Sequence, residues 1–226
     1  MKFRFPPSPI TALPILDSTD AFPVRRVYCV GRNYAEHALE MGHSKREAPF
    51  FFSKPADALV INPETINYPA MTSELHHEVE LVIAVGQSGF NIQLENAWSH
   101  LFGYALGIDL TKRDLQSEFK KKSRPWDLAK GFDQSAPISS IVPFATAGKL
   151  EEGDIELSVN GKMRQQGNIN QMIWSIPEIM VELSKHIELQ AGDLIFTGTP
   201  SGVGEIEKGQ TVNAKLLGLG LDFKLI

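Results

Sequence analysis

The sequence has a single cysteine, Cys29, so no disulfide can form within one chain, and a reducing compartment is the expected setting. It has no run of 18 consecutive apolar residues, so no membrane-spanning helix is expected. Lys2 and Arg4 provide a basic start, but Pro6, Pro7, Pro9 and Pro14 interrupt any apolar stretch of the kind a secretory signal needs. Basic charge is not in excess. The 22 Lys+Arg stand against 27 Asp+Glu, a formal net charge of −5, which argues against nucleic acid as a partner. Internal repeats and low-complexity tracts are missing as well. What is there is 226 residues with 42% hydrophobic content, enough for one large domain with a real core. A soluble, cytoplasmic protein is the expectation.

Residues 1–25 are rich in proline and read as an extended N-terminal arm with room for one edge strand. Residues 26–226 read as a single domain. Arg26 to Gly31 is a short buried strand ended by glycine. Asn33 to Gly42 has the marks of a two-turn helix: Asn33 as cap, Glu36 at the capping-box spacing and Gly42 as stop. Phe50-Phe51-Phe52 is a strand running into a turn at Lys54-Pro55. From His77 to Val85 the pattern alternates, with His77, Val79, Leu81, Ile83 and Val85 on one face and Glu78, Glu80, Val82 and Ala84 on the other. A helix is expected over Leu94 to Leu101, and a buried strand over Gly103 to Asp109. Thr111, with Asp114 at the capping-box spacing, opens a helix to about Lys122. Asp154 to Gln166 forms a hairpin around Asn160-Gly161. Ser175 and Glu178 cap a helix to about His186, and Leu194 to Thr197 is a strand leading into the glycine-rich loop 198–204. The last twenty residues alternate weakly, as strands do. Strands outnumber helices and do not alternate regularly with them, so the fold class is α+β and β-rich, not a doubly wound parallel sheet.

The chemistry-bearing residues begin with Glu78 and Glu80. At i and i+2 of a strand they share a face, about 6.5–7 Å apart at the backbone. They are either a charged outer face or a repelling pair that a cation relieves, and Val82 and Ala84 continue the same face without charge. Asp109 ends an apolar strand. With Thr111 expected to cap the next helix, Asp109 is left to bind something. Three carboxylates form a hard oxygen site suited to Mg²⁺ or Mn²⁺, with Ca²⁺ a poorer match. Zinc is disfavoured, because there is no Cys cluster and adjacent His76 and His77 point to opposite faces of a strand. His37 and Glu40, at i and i+3 on a short helix flanked by Gly31 and Gly42, are either a solvated helix face or a base and its orienting carboxylate on a lid. Lys130 is either a surface lysine or a buried cation facing an anionic substrate. Lys120-Lys121-Lys122 is a solvated helix end. The 198–204 loop lacks both the Lys-Ser/Thr ending of a P-loop and the dinucleotide fingerprint. It is either an ordinary connection or a turn whose N–H groups hold a carboxylate.

Taken in order, these stretches resemble the fumarylacetoacetate hydrolase family, in its acylpyruvate and fumarylpyruvate hydrolase branch. The resemblance rests on Cys29-Val30-Gly31-Arg32-Asn33-Tyr34 through Met41, Phe52-x-Lys54-Pro55, His76-His77-Glu78-Val79-Glu80-Leu81 and Gly103-Tyr104-Ala105 to Asp109-Leu110-Thr111-x-Arg113-Asp114. It continues through Lys121-Lys122, Pro125-Trp126, Ala129-Lys130-x-Phe132-Asp133, Ser158-Val159-Asn160-Gly161, Arg164-Gln165 and Gly192-Asp193 to Thr197-Gly198-Thr199-Pro200-x-Gly202-Val203-Gly204. It implies a mixed β-sandwich roll, a catalytic domain over 26–226 and a homodimer. It implies one Mg²⁺ or Mn²⁺ on Glu78, Glu80 and Asp109, with His37 and Glu40 as a water-activating dyad. Arg32, Arg113, Gln116, Lys130, Gly198 and Thr199 are implied at a small 2-oxo acid substrate, and Lys130 is implied in catalysis.

The implied reaction is hydrolytic C–C cleavage of a 2,4-diketo acid, fumarylpyruvate foremost. His37, oriented by Glu40, would take a proton from the water that attacks C4, and Lys130 would help hold the charge of the departing pyruvate enolate. Met41-Gly42-His43 followed by Pro49 to Asp57 carries the fumarylpyruvate resemblance, with aromatic catabolism as its setting. Oxaloacetate decarboxylation, or isomerisation of an unsaturated 2-oxo diacid, needs the same enolate but no attacking water. A non-catalytic carboxylate-binding protein on the same fold is the alternative of another class. Specificity is expected around His43, Phe51, Trp174 and the 198–204 loop.

Overall fold

The computed structural model describes residues 2–34 and 47–226. The short helix expected over Asn33 to Gly42, with His37, Glu40 and neighbouring His43, lies outside the described residues from position 35 on. Two sheets dominate. The larger is an eight-stranded mixed sheet with the path β4 (Phe50–Lys54), β3 (Val27–Gly31), β15 (Leu194–Phe196), β8 (Val79–Val85), β9 (Leu101–Ile108), β11 (Ala136–Ile138) and β5 (Leu59–Ile61), with β12 (Val142–Pro143) also paired to β9. The smaller has five strands in the order β14 (Lys162–Asn168), β13 (Asp154–Val159), β17 (Thr211–Leu216), β18 (Leu219–Leu225) and β6 (Thr65–Ile66). The β-rich α+β roll expected from the sequence is the fold observed.

Every residue of β8 is buried, and alternation sends its side chains into two cores. Leu81, Ile83 and Val85 join Ile155, Leu157, Val212, Phe223 and the buried stripe Ile176, Ile179, Met180 and Leu183 in the larger core between the sheets. Val82 and Ala84 join Leu13, Phe22, Cys29, Ala105 and Phe196 in a smaller core on the other face. The N-terminal segment therefore carries two strands, not one. β1 (Ala12–Pro14) and β2 (Ala21–Pro23) pair antiparallel. Burial of Leu13 and Phe22 holds this hairpin down, and Pro14 and Pro23 sit at strand ends, where no ladder bond is lost.

The hairpin of β13 and β14 turns at Asn160 (φ 49) and Gly161 (φ 75), the two left-handed positions that such a turn requires. The best-marked helix runs Ile176–His186, and Glu178 Oε2 accepts from the Ser175 N–H at 3.0 Å and hydroxyl at 2.9 Å, as the capping spacing implied.

Two boundaries differ from expectation, and both matter for the site. The 77–85 strand is broken at Glu78. β7 (Leu75–His77) leaves the large sheet to pair with β10 (Thr111–Lys112) and β16 (Gly204–Glu205), while β8 stays in it. Thr111 is not a helix cap. It pairs with His76 in the ladder and its hydroxyl donates back to the Asp109 carbonyl at 3.2 Å. The helix α1 begins two residues later (Arg113–Lys121). Asp114 instead accepts from the Thr72 hydroxyl at 2.6 Å and the Ser73 N–H at 3.0 Å, pinning that loop.

Candidate metal centre

Pairing of β8 with β9 sets Val79 opposite Ile108 and Glu80 opposite Gly107. One step further, Glu78 meets Asp109, whose N–H donates to the Glu78 carbonyl at 2.8 Å. The break at Glu78 and the end of β9 thus bring three carboxylates to one point. Glu78, Glu80 and Asp109 each offer an oxygen within 4.8 Å of the others, and all three are buried. Gly107 makes room there, since a Cβ on it would fall 2.5 Å from the Phe196 ring. Gly198 (φ 99) directs its N–H onto Glu80 Oε2 at 2.7 Å, and a Cβ on it would fall 2.7 Å from Asn33.

Burial first, then the charges of Asp109 and Glu78, hold the Glu80 carboxyl well above the usual carboxylate range. Three cationic side chains face the three acids. Lys130, only 2% exposed, places Nζ 2.8 Å from Glu78 Oε2 and 2.6 Å from Asp109 Oδ2. Burial disfavours this ammonium, but Asp109 and then Glu78 outweigh it, so it is held above its ordinary value. Arg113 pairs with Glu78 Oε1 and donates to Gln116 Oε1. Lys54, at the end of β4, lies 2.8 Å from Asp109 Oδ1. Yet its ammonium donates to three backbone carbonyls, those of Lys130, Leu110 (3.3 Å) and Ser135 (3.0 Å). The Lys54 protons are all committed, which explains why, among the described residues, Asp109 Oδ1 receives charge but no hydrogen bond. A buried carboxylate oxygen with free lone pairs, beside a repelled second carboxylate, suits a hard divalent cation. Acids and cations balance without one, so its charge would leave the pocket positive and receptive to a dianion.

Arg32, Glu78, Glu80, Asp109, Arg113, Gln116, Lys130 and Thr199 all line one cleft of about 50 Å³. Phe50, Phe52 and Trp126 form its apolar wall. Trp126 packs edge-on to Phe50 and Phe52 at centroid distances of 5.6 and 6.0 Å, and Lys130 Nζ lies 5.1 Å from the Phe52 centroid. Behind this wall a second cavity of about 420 Å³ shares Phe50, Phe52, Trp126 and Lys130 and adds Phe51 and Arg124. Of the residues expected to meet substrate, Gly198 stands apart, because its N–H is engaged by Glu80. Trp174 is anchored elsewhere: its N–H donates to Asn33 Oδ1 at 2.7 Å. His76 and His77 diverge as expected. His76 Nδ1 accepts from Arg113 at 3.2 Å, while His77 Nδ1 faces Gln165 at 2.8 Å.

Lys54 and Gln165 carry no role that local sequence spacing marks, although both stand in stretches shared with the family. A lysine closing an apolar strand ordinarily snorkels to water, and no local pattern marks Lys54 as the exception.

The family profile for the fumarylacetoacetate (FAA) hydrolase C-terminal region matches residues 26–221. Among solved structures, the fumarylpyruvate hydrolase from Pseudomonas aeruginosa, in complex with Mn²⁺ and pyruvate, superposes with a TM-score of 0.96 at 45% identity, covering 100% of this chain and 99% of that one. The mitochondrial oxaloacetate decarboxylase of Dictyostelium discoideum is 42% identical over 201 residues, 88% of this chain and 92% of its own length. The mitochondrial oxaloacetate tautomerase of Mus musculus is 43% identical over 195 residues, 86% of this chain and 88% of its own length.

Proposed function

The chain belongs to the fumarylacetoacetate hydrolase family, and from that premise we propose that it is a metal-dependent acylpyruvate hydrolase, cleaving a 2,4-diketo acid such as fumarylpyruvate into pyruvate and a carboxylic acid. The observation that carries this reading is the convergence of three buried carboxylates with Lys130 and Arg113 in one cleft. The likeness to the Pseudomonas aeruginosa fumarylpyruvate hydrolase, crystallised with Mn²⁺ and pyruvate, supports it.

Glu78, Glu80 and Asp109 are the proposed ligands of Mg²⁺ or Mn²⁺. When bound, the ion supplies Lewis-acid charge toward the carboxylate and keto oxygens of a 2-oxo acid. Lys130 and Arg113 set positive charge where the departing pyruvate enolate develops its own. Gln116 and Thr199 orient the pyruvate end, and Arg32 guards the mouth, its guanidinium 5.3 Å from the Phe50 centroid. The acyl part extends toward the aromatic cavity behind Phe52 and Trp126. His37, oriented by Glu40, takes the proton of the attacking water. A homodimer in the cytoplasm completes the proposal; among the described residues no helix is long and apolar enough to cross a membrane.

The second reading is oxaloacetate decarboxylation or tautomerisation, favoured by the names of the Dictyostelium and mouse relatives. It uses Lys130 and the carboxylates but no attacking water. Pyruvate release from fumarylpyruvate, acetylpyruvate and oxaloacetate, measured after EDTA and again after Mg²⁺ or Mn²⁺ add-back, separates the two. The hydrolase is expected to lose and regain cleavage of the acylpyruvates. Turnover of oxaloacetate alone overturns the hydrolase reading, and metal-independent turnover overturns both.

A further inference from the structure

We propose that Gln165 is a positioning residue that makes the Thr199 hydroxyl a one-way hydrogen-bond donor toward a bound 2-oxo acid. The inference rests on the reading that such an anion occupies the carboxylate cleft.

Gln165 lies on β14, the outermost strand of its sheet, yet it is fully buried while its neighbours Arg164 and Gln166 are exposed. The cause is a bulge. The register shifts between Leu157 and Ser158, so Leu157 faces Gln165 while Ser158 faces Met163, and Arg164 is the extra residue. Bulges re-aim side chains, and this one turns Gln165 inward beneath the 198–204 loop. The loop packs directly on it: a Cβ on Gly202 (φ 89) would meet the Arg164 carbonyl oxygen at 2.1 Å.

All four hydrogen-bonding positions of the Gln165 amide are filled. Oε1 accepts from the Val79 N–H at 3.1 Å and faces His77 Nδ1 at 2.8 Å. Nε2 donates to the Pro200 carbonyl at 2.9 Å and to Thr199 Oγ1 at 2.7 Å. The backbone N–H of Val79 can only donate and the carbonyl of Pro200 can only accept. The amide orientation is therefore dictated from both ends. With Oε1 already an acceptor, His77 must carry its proton on Nδ1.

Thr199 Oγ1, accepting from Gln165, keeps one proton to give. Among the described residues nothing takes it. Thr199 is 4% exposed and lines the cleft with Glu78, Arg113 and Lys130. An oxyanion in that cleft is the acceptor this arrangement awaits. The polarity runs in one direction, from a buried imidazole through an amide to a hydroxyl and outward.

The experiment is a double-mutant cycle read by calorimetry, with Mn²⁺ alone and with oxalate as the probe in the presence of Mn²⁺. Gln165→Glu places an acceptor where Gln165 has a donor, so the Thr199 proton turns inward. Oxalate binding is expected to weaken on the order of 10- to 100-fold, with KM for the turned-over 2-oxo acid rising in step. Mn²⁺ affinity should stay within about twofold. In the Thr199→Val background the same Gln165→Glu change should move oxalate binding by no more than about twofold, whereas Thr199→Ser should retain the full sensitivity. Equal losses in both backgrounds would mean a merely structural Gln165 and overturn the inference, as would unaltered oxalate binding in Gln165→Glu. Gln165→Met, carried through the same cycle, serves if the carboxylate variant does not fold. Absence of oxalate binding by the unmodified protein overturns the functional reading and this inference with it. Normal binding without coupling overturns this inference alone.

Discussion

Among the described residues, the buried acids fall in two places and are treated in opposite ways. Asp193, at the start of β15, is wholly buried, and Arg25 Nη1 reaches both of its carboxylate oxygens, at 2.9 and 3.0 Å. The Gln190 N–H adds a third bond at 2.9 Å. One acid meets one base, and each carboxylate oxygen has a donor. At the other place, three acids and three bases cluster together, Asp109 Oδ1 lies beside Lys54 but among the described residues has no hydrogen-bond partner, and Glu80 is repelled by its neighbours. A closed pair of the first kind serves the fold. The second kind holds unmet electrostatic demand, and that demand is what a metal ion and an anionic substrate can answer.

If that contrast is right, the sharpest break comes from Glu80→Gln. The amide still accepts the Gly198 N–H but removes one of three repelling charges. Metal-dependent turnover should fall by about 10³-fold or more, several kcal/mol of lost charge stabilisation. The melting temperature of the metal-free protein should equal or exceed that of the unmodified one. A clear drop in melting temperature would place Glu80 in the same class as Asp193 and dissolve the distinction.

Lys54 belongs to both classes, so Lys54→Met should show both effects. Its ammonium satisfies three carbonyls and also neutralises Asp109. Removing a wholly buried partner leaves those groups unpaired, a cost of about 3–4 kcal/mol by urea denaturation. Turnover should fall as well, by on the order of 100-fold, because Lys130 sits in the segment that Lys54 ties down. Loss of stability with turnover per folded molecule unchanged would make Lys54 purely structural.

The two regions also differ in how far they could be read from sequence. Alternation over residues 77–85 puts Glu78 and Glu80 on one face and marks that face as uncharged beyond them. Asp109 stood out because it closes six uncharged residues. What alternation could not supply was the switch of sheets at Glu78, which depends on β7 finding partners at Thr111 and Gly204, far away in sequence. The same ladder removed Thr111 from the capping role that the local pattern assigned it. Asp109 is thus free of a capping role for another reason than Thr111 supplying the cap, since the helix starts at Arg113 without it. Lys54 and Gln165 escaped for a common reason. Each acts through backbone groups of distant segments, and no local spacing encodes those. The Arg25–Asp193 pair, 168 positions apart, was equally invisible.

Asp193→Ala tests the closed class. It leaves Arg25 without its partner and the Gln190 N–H without its acceptor. Arg25 retains 30% side-chain exposure and can recover water, which moderates the cost to about 2–3 kcal/mol. For a chain of this size the melting temperature should drop by roughly 4–10 °C. Turnover per folded molecule should remain within about threefold, because no cleft residue loses a contact. A loss of turnover exceeding the loss of folded protein would show the closed pair feeding into the site.

The smallest effect lies at the border of the two classes, at His77, which is buried beside Glu78 yet neutral. Burial pulls its pKa down to about 4, against an ordinary value of 6.5, despite the hydrogen bond to Gln165. Between those values the unfolded chain takes a proton that the folded chain refuses. Stability from this residue is therefore complete above pH 6.5 and declines as pH falls toward 4. From pH 7 to pH 5 the decline amounts to about 2 kcal/mol in urea denaturation of the metal-free protein. His77→Asn keeps an N–H for Gln165 Oε1 but cannot titrate, so its stability should vary less with pH by that amount. Parallel profiles for the two proteins would mean that His77 accepts its proton without cost. The border residue would then hold unmet demand like the three acids, and the line between the two kinds of buried charge would have to be drawn beyond it.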